Sequence, residues 1–302
     1  MSTSFTKKIL TAYITMADST FVGTATPDNP SGLNTKIVQG LRMDAEIKKG
    51  GKPSKNTLKL KIYGMLQDDM DALTTLAFKP MRVRKNLIKL TAGDGDGSAV
   101  AFEGEITSAY ASYSSPPNLL FHLEATAGYY PAIATSKAKG LSGSQPVAQM
   151  LQQLADEMGY AFENNGVDSV LVNPYLSGTA MQKASMIADA ADLEFGVDDG
   201  VMFVAPRNKA RAGEAPLVSA ETGLREYPTF DKNGLKFSCL YNPGLRLGGL
   251  CVVKSRVPVA NGTWRVHGLE HSLASEDPSG KWFSKVSAVP LGVPPSEEGG
   301  AE

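Results

Sequence analysis

Alternation of apolar and polar residues dominates the first part of the chain. Residues 57–63 alternate strictly and place Leu58, Leu60 and Ile62 on one side of an extended segment. This two-residue period is typical of a half-buried strand. Residues 40–47 alternate in the same way. The stretch between the two segments is charged and rich in turn-forming residues, so it predicts a long-looped hairpin.

The rest of the first 138 residues follows the same strand-like pattern, with one interruption of helical spacing. Strands are predicted over residues 82–91, 99–113 and 119–127, and a short helix over residues 67–76. Because the strands are short and separated by turn residues, we expect residues 1–138 to form a small tube-like β-barrel domain with one helix.

The period changes from two residues to between three and four after residue 140. An apolar stripe predicts one helix that begins at Ser144-Gln-Pro146, with Ser144 as its N-cap, and ends at Gly159. A second, alanine-rich helix is expected after the Thr179 cap. Short strands are predicted over residues 160–163, 169–172, 194–197 and 201–205. We therefore expect a small α+β domain over residues 139–210.

The last third of the chain predicts strands again. Residues 207–216 form a polar linker, and the strands that follow cover residues 235–241, 250–255, 263–274 and 281–289. These strands predict a second tube-like β-barrel over residues 211–292. The remaining residues, 293–302, are polar and acidic and are expected to form a disordered tail. The fold class is therefore mainly β with an α+β insert.

A turn near residue 242 stands out within this last third. Proline at position 243 fixes φ and the neighbouring glycines accept positive φ, so Asn242-Pro-Gly244 and Gly248-Gly249 predict two chain reversals. We expect this segment to join two strands that pair with each other.

Composition narrows the possible functions. The 302 residues carry a net charge of −1, with 42% hydrophobic and 20% charged residues, which is ordinary for a soluble globular protein. A balanced charge gives no bulk electrostatic affinity for nucleic acid. Because no window approaches about 20 apolar residues and no signal peptide is evident, we expect no membrane insertion and folding in a cytoplasm. The two cysteines, Cys239 and Cys251, are expected to be buried free thiols.

Candidate chemistry is weak throughout the sequence. His267 and His271 lie four apart on a predicted strand, about 13 Å along it, which is too far to share a zinc ion. The acidic stretch Gly93 to Gly97 matches a calcium loop only in part and favours a plain turn. The sequence lacks a nucleophile elbow and a phosphate-binding loop. We therefore predict no catalytic, cofactor or metal residues.

A basic stripe, Arg82 and Arg84 with Lys85 beside it, favours a solvated face or contact with an acidic neighbouring subunit. A carboxylate pair of a polysaccharide hydrolase remains possible, because such pairs meet in space rather than in sequence.

Several segments, taken in order, resemble the baseplate hub proteins of contractile-tailed bacteriophages. They are the strand at 40–47, the segment Pro53 to Tyr63, the pair 151–159 and 175–180, the Asn242-Pro243 turn, and the hairpin from Trp264 to Trp282. The family's usual asparagine after the tyrosine is replaced by Gly64-Met65. The resemblance covers most of residues 35–290.

The resemblance implies a structural virion protein rather than an enzyme. Such a hub forms a homotrimeric, pseudo-six-fold ring that joins the six-fold tail tube to the three-fold central spike of the baseplate. Its partners would be copies of itself, the tube, spike and other baseplate proteins, and DNA only in transit, with assembly in the host cytoplasm. Candidate interface residues are Arg82, Arg84, Lys85, Tyr227, Asn242, Pro243 and Arg246. The alternatives are a tail-associated cell-wall hydrolase and a β-rich carbohydrate-binding module.

Overall fold

The structure is a computed structural model. The structure describes residues 6–17, 20–21, 32–50, 55–74, 86–94, 97–113, 119–134, 136–231 and 234–292. The chain divides into two compact units. Unit 1 comprises residues 1–48, 56–129 and 271–282, and unit 2 comprises residues 49–55, 130–270 and 283–302.

Unit 1 is built on an antiparallel sheet. Its elements are β1 (Lys8–Thr15), β2 (Thr35–Gln39), β3 (Met43–Gly50, which ends in unit 2), β4 (Thr57–Tyr63), α1 (Gln67–Leu73), β5 (Leu87–Asp94), β6 (Gly97–Ser112) and β7 (Leu120–Thr126). The order across the sheet is β3-β4-β7-β6-β5-β1-β2, and every neighbouring pair is antiparallel.

The alternating residues occupy the core of unit 1 as predicted. Leu58, Leu60 and Ile62 on β4 are buried, whereas Lys59 and Lys61 between them are exposed. The predicted hairpin is confirmed, because Ala45 of β3 lies opposite Leu60 of β4 in an antiparallel pair. The pattern therefore predicted both the pairing and the buried face.

Unit 2 contains the helices and short strands of the middle segment. These are α2 (Tyr129–Ile133, which begins in unit 1), β8 (Lys139–Gly140), β9 (Ser144–Pro146), α3 (Val147–Met158), β10 (Ala161–Asn164), β11 (Val170–Val172), β12 (Tyr175–Leu176), α4 (Ala180–Ala190), β13 (Leu193–Asp198) and β14 (Val201–Pro206). Strands β10, β14 and β13 form one sheet, while β9 pairs with β11 and β8 with β12.

The later strands of unit 2 form a second antiparallel region. They are β15 (Leu217–Ser219), β16 (Thr229–Asp231), β17 (Gly234–Leu240), β18 (Leu250–Lys254), β19 (Gly262–Ser275, which ends in unit 1) and β20 (Trp282–Pro290, which begins there). Two short 3-10 helices cover Ala220–Thr222 and Pro258–Ala260. Within unit 2 the strand order is β16-β17-β20-β19, with β18 on β19 and β15 parallel to β18.

Two apolar cores hold unit 2 together. One packs the buried faces of α3 and α4 against β13 and β14. The other fills the region of β15 and β17 to β20, and it includes Cys239 and Cys251. Both thiols are free and buried, as predicted, and burial raises the pKa of each to about 12. They are therefore inert side chains of the core.

The predicted start of α3 is wrong. Residues Ser144–Pro146 form strand β9, which pairs with β11, and Pro146 occupies the N-cap position without any side-chain cap. The pairing of β9 with Val170–Val172 keeps Ser144 extended, so its hydroxyl lies too early to cap the helix. The predicted end is confirmed, because Gly159 takes the left-handed conformation with φ of 80°.

The expected pairing across the Asn242 turn is also wrong. Strands β17 and β18 flank the turn, but β17 pairs with β16 and β20, and β18 pairs with β15 and β19. The second reversal explains this, because Gly248 N donates to Val266 O at 2.8 Å and Val266 N donates to Gly249 O at 2.9 Å. The connection therefore leads the chain to β19 rather than back along β17.

The prediction of a mainly β protein is confirmed. The two predicted boundaries, after residues 138 and 210, and the disordered tail stay predictions. Residues 293–302 lie outside the described residues. Within the described part of the chain, no helix combines the length and apolar character needed to cross a membrane.

The cap of α4 gives a direct stability test. Thr179 accepts a hydrogen bond from Gln182 N at 3.2 Å, and the Gln182 side chain accepts one from Thr179 N at 2.9 Å. Thr179→Ala should lower the free energy of unfolding by about 1 kcal/mol, because the Gln182 N–H group in the first turn loses its defined acceptor. Thr179→Ser is the control, since it keeps the hydroxyl. Equal stability of the two variants in urea would contradict this reading of the cap.

Candidate functional site

The most strongly organised polar site in unit 2 surrounds the buried side chain of Arg211. Its guanidinium group donates to both carboxylate oxygens of Glu163, with both distances 2.9 Å. The Nη1 atom also donates to Asp198 Oδ2 and to the carbonyl of Leu247, both at 3.1 Å. The ring of Phe203 packs against the group at 4.3 Å. Each nitrogen of the planar Arg211 guanidinium group therefore donates a hydrogen bond to a carboxylate.

A second cation, Lys49, enters the same site from the other side of Asp198. Its ammonium group lies 2.9 Å from Asp198 Oδ1 and 2.6 Å from Asp199 Oδ2. Only 4% of its side chain is exposed. Asp198 is thus shared between two cations, one on each carboxylate oxygen. We call Lys49, Glu163, Asp198, Asp199 and Arg211 the ionic cluster.

The pKa values of the two neighbouring aspartates in the ionic cluster are shifted in opposite directions. Burial alone would raise the pKa of Asp198, but Lys49 and then Arg211 outweigh it and hold that pKa below its ordinary value. Burial dominates at Asp199 and raises its pKa to about 6. In agreement with this, Asp199 Oδ1 is buried and has no hydrogen-bond partner in the described residues.

The cations are held in their charged forms. Burial alone would lower the pKa of Lys49, but the charges of Asp198 and Asp199 outweigh it and raise the pKa above its ordinary value. Burial also opposes the charge of Arg211, and its hydrogen bonds to Glu163 raise the pKa in compensation. The ionic cluster is therefore a network of paired charges, with Asp199 as its one easily protonated member.

Turns at the ends of strands bring the ionic cluster together. Asp198 ends β13, and Asp199 occupies the β13–β14 turn with a positive φ of 51°. Glu163 lies on β10, which is parallel to β14. The 246–249 turn closes over Arg211, since Gly248 O accepts from Arg211 N at 2.8 Å. A Cβ atom at Gly248 would lie 3.2 Å from Arg211 Cδ, so a larger residue would crowd Arg211 in addition to straining a backbone with φ of 76°.

The predicted interface residues are only partly brought together. Asn242 and Arg246 lie in the same connection, but each has a local role: Asn242 Oδ1 accepts from Gly244 N at 2.8 Å, and Arg246 Nη2 donates to Ala212 O at 2.7 Å. Pro243 is exposed beside them, and Tyr227 is 63% exposed before β16. The stripe Arg82, Arg84 and Lys85 lies outside the described residues. The interface role of all seven stays a prediction.

Sequence reasoning missed the ionic cluster. The sequence pattern places Arg211 in a polar linker, although only 4% of it is exposed. One residue of the ionic cluster does indicate a buried charge from the sequence alone. Lys49 continues the inward alternation of Met43, Ala45 and Ile47 along β3, so a lysine occupies a position that the pattern reserves for the core.

The other candidates from the sequence stay separate. His267 belongs to unit 2 and His271 to unit 1. Burial, and then the charge of Arg265, lowers the pKa of His267. Asp94, in the supposed calcium loop, pairs with Lys8 at 2.9 Å, and residues 95–96 are outside the described chain. Where the structure describes side chains, no group of three or more histidines, cysteines and carboxylates could hold a metal ion.

Comparison with solved structures defines the class of fold. The chain resembles the prophage MuSo2 43 kDa tail protein from Shewanella oneidensis, with 11% identity, a TM-score of 0.59, and coverage of 94% of this chain and 96% of that one. It also resembles a tail protein from Neisseria meningitidis MC58, with 10% identity, a TM-score of 0.61 and coverage of 92% and 96%. The fold is thus one found in tail proteins of phages and prophages.

A third structure with this fold is the Escherichia coli c3393 protein, a component of the type VI secretion system. It shares 9% identity and a TM-score of 0.54, with coverage of 82% of this chain and 73% of that one. No curated protein matches the sequence. The family model for baseplate hub gp41 matches residues 15–285, so the chain belongs to the baseplate hub gp41 family. Its role is structural, in the tail baseplate of a phage particle.

The raised pKa of Asp199 predicts a pH effect on stability. The folded-state pKa is about 6 against an ordinary 3.8. As the pH falls from 7 to 5, the folded chain therefore binds a proton that the unfolded chain does not, which stabilises the fold. Relative to Asp199→Asn, the wild-type protein should gain roughly 1 kcal/mol over this interval. Urea unfolding at both pH values measures the difference.

Asp168→Asn is the matched control for this pH test, because it removes an exposed carboxylate from the same unit without touching the ionic cluster. A wild-type advantage over Asp199→Asn that shrinks toward pH 5 would show that Asp199 is not protonated in this interval.

Substitutions at two glycines with nearly the same φ distinguish the cost of steric crowding from the cost of backbone strain. Gly40 has φ of 75° with open space around it, while Gly248 has φ of 76° and faces Arg211. Gly40→Ala should cost about 1 kcal/mol from its left-handed conformation alone. Gly248→Ala should cost at least about 1 kcal/mol more, because Arg211 must shift away from its partners. Equal losses in urea unfolding would mean that the turn does not constrain Arg211.

Proposed function

We propose that the protein is the baseplate hub that joins the tail tube to the central spike, as a homotrimer with pseudo-six-fold symmetry. The observation that carries this proposal is the match of the baseplate hub family over residues 15–285. Each of the two units contributes an antiparallel sheet region, which supports the proposal because three copies would supply six such regions around an axis. Each region closes into a tube-like barrel in the assembled ring.

Edge strand β2 supports an interface between copies in unit 1. Within the described residues, β2 pairs on one side with β1, and its other side has no neighbouring strand. Ile37 in the middle of this strand is 57% exposed. An exposed edge with an apolar side chain is a ready template for another strand. In the proposed ring this edge pairs with a neighbouring subunit.

The exposed candidates Tyr227 and Pro243 would contact a neighbouring subunit or the spike, and the basic residues Arg82, Arg84 and Lys85 would meet an acidic partner surface. Partners in this proposal are further copies of the chain, the tail tube protein, the central spike protein and other baseplate proteins. DNA passes through the lumen during ejection, and the chain does not enter a membrane. Assembly takes place in the host cytoplasm.

A structural role without enzymatic activity follows from this proposal. The buried cysteines are inert, and the charged groups of the ionic cluster are paired with one another in the interior of unit 2. A peptidoglycan zymogram tests the alternative of a cell-wall hydrolase. Clearing that requires a carboxylate of this chain would overturn the structural role.

Native mass spectrometry of the protein with its spike partner tests the ring. The expected species contains three copies of this chain. Ile37→Lys should reduce the trimer at least about tenfold, because a charge on the edge strand opposes strand pairing between copies. Leu66→Lys is the matched control, as Leu66 is 66% exposed in the same unit but does not lie on β2. A stable dimer or tetramer with the spike present would contradict the proposal.

A further inference from the structure

A groove of about 450 Å³ lies in unit 2 beside helix α3. Its apolar floor consists of Met150 and Leu154 of α3, together with Leu141 and Leu176. The first two are one helical turn apart and are 5% and 7% exposed, so they offer the groove a small apolar surface. The groove is therefore open to a ligand that carries apolar groups.

The charges around this groove are unequal. Three lysines, Lys137, Lys139 and Lys183, line it, against the single carboxylate of Glu157. Lys139 donates to the neutral side chain of Gln153 at 3.2 Å. Within the described residues the side chain of Lys137 has no hydrogen-bond or ion-pair partner. The groove therefore has a net positive charge that favours an anionic ligand.

Lys183 is the most informative of the three lysines, since only 3% of it is exposed. Its ammonium group donates to Ser136 Oγ at 2.8 Å and to the carbonyl of Lys137. Both acceptors are neutral, and an ammonium group has three hydrogens to donate. Ser136 in turn donates to Glu157 at 2.6 Å, so Lys183 is linked to this carboxylate only through the Ser136 hydroxyl. A buried cation in this state gains from a carboxylate placed directly on it.

The chain itself contains a segment with matching chemistry. Residues 293–302 carry three glutamates, Glu297, Glu298 and Glu302, and no lysine, arginine or histidine. They begin with Val293 and two prolines, which suit an apolar floor. The segment continues directly from Gly292, and unit 2 contains both this connection and the groove. Ten extended residues reach up to roughly 33–36 Å.

We propose that the groove beside α3 binds the acidic C-terminal segment 293–302 of this chain, with glutamate carboxylates on Lys137 and Lys183 and the Val293-Pro-Pro stretch on the apolar floor. A segment that is too polar to form a core of its own can still order on such a surface. Tethering favours this, because the linked segment is present at an effective concentration in the millimolar range. The inference does not depend on the proposed ring.

The test compares the full chain with a chain ending at residue 292. The probe is a fluorescein-labelled peptide of residues 290–302, followed by fluorescence anisotropy at low salt. The shortened chain should bind the peptide at least tenfold more tightly than the full chain, whose own segment competes. A peptide with Glu297→Gln and Glu298→Gln should bind the shortened chain about tenfold more weakly, as expected for the loss of a charge-assisted contact.

Groove variants of the shortened chain localise the binding. Lys183→Met and Lys137→Gln should each weaken peptide binding about tenfold, and circular dichroism checks that each variant is folded. Lys137 is exposed, so its variant gives the answer if Lys183→Met fails to fold. Lys254→Met, at the exposed last residue of β18 in the same unit, is the matched control and should bind normally.

Three results would overturn the proposal: no peptide binding to the shortened chain, equal binding to the full and shortened chains, or equal binding to the groove variants and the control. Equal binding to both chains combined with weaker binding to the groove variants would assign the groove to an acidic segment of another protein.

Discussion

The interaction on which unit 2 depends most is the burial of the Arg211 guanidinium group between Glu163 and Asp198. A charge in a medium of low polarity is costly unless it is paired, and each guanidinium nitrogen of Arg211 donates to a carboxylate, with one further bond to a backbone carbonyl. These partners come from β10, from the end of β13 and from the 246–249 turn. One side chain therefore fixes three segments that are far apart in sequence.

Such a network contributes more to the choice of one structure than to net stability. The cost of removing charges from water offsets much of the attraction between them, whereas a shifted turn would leave a buried charge alone. We infer that the ionic cluster fixes the positions of the two turns that contribute to it. It penalises any arrangement in which the Asp198–Gly200 turn or the Gly248 turn is displaced. This suits a structural component of a tail baseplate.

Much of the fold follows from local sequence patterns, and the failures have a common cause. The alternation of Leu58, Leu60 and Ile62 and the cap at Thr179 are local signals, so they predict elements well. The start of α3 and the pairing across Asn242 depend on which distant strand competes for the same backbone groups. That competition is decided by tertiary structure.

The ionic cluster shows the same limit at the level of side chains. Asp198 and Arg211 each have an ordinary local explanation, and only the folded chain brings them within 3.1 Å of each other. Lys49 is the exception, because its inward place in the alternation of β3 is visible in the sequence alone. A lysine at a core position is thus the signal that predicts a buried counter-charge elsewhere in the chain.

The division of the chain between the units affects the order of events during synthesis. Unit 1 includes residues 271–282, which follow most of unit 2 in sequence. A ribosome that has made the whole of β1 to β7 has still not delivered the last part of unit 1. Unit 2 likewise needs residues 283–290 of β20. Unit 1 therefore cannot be completed before residue 282 has been made, and unit 2 cannot be completed before β20 has been made, so strands of both units wait for partners during synthesis.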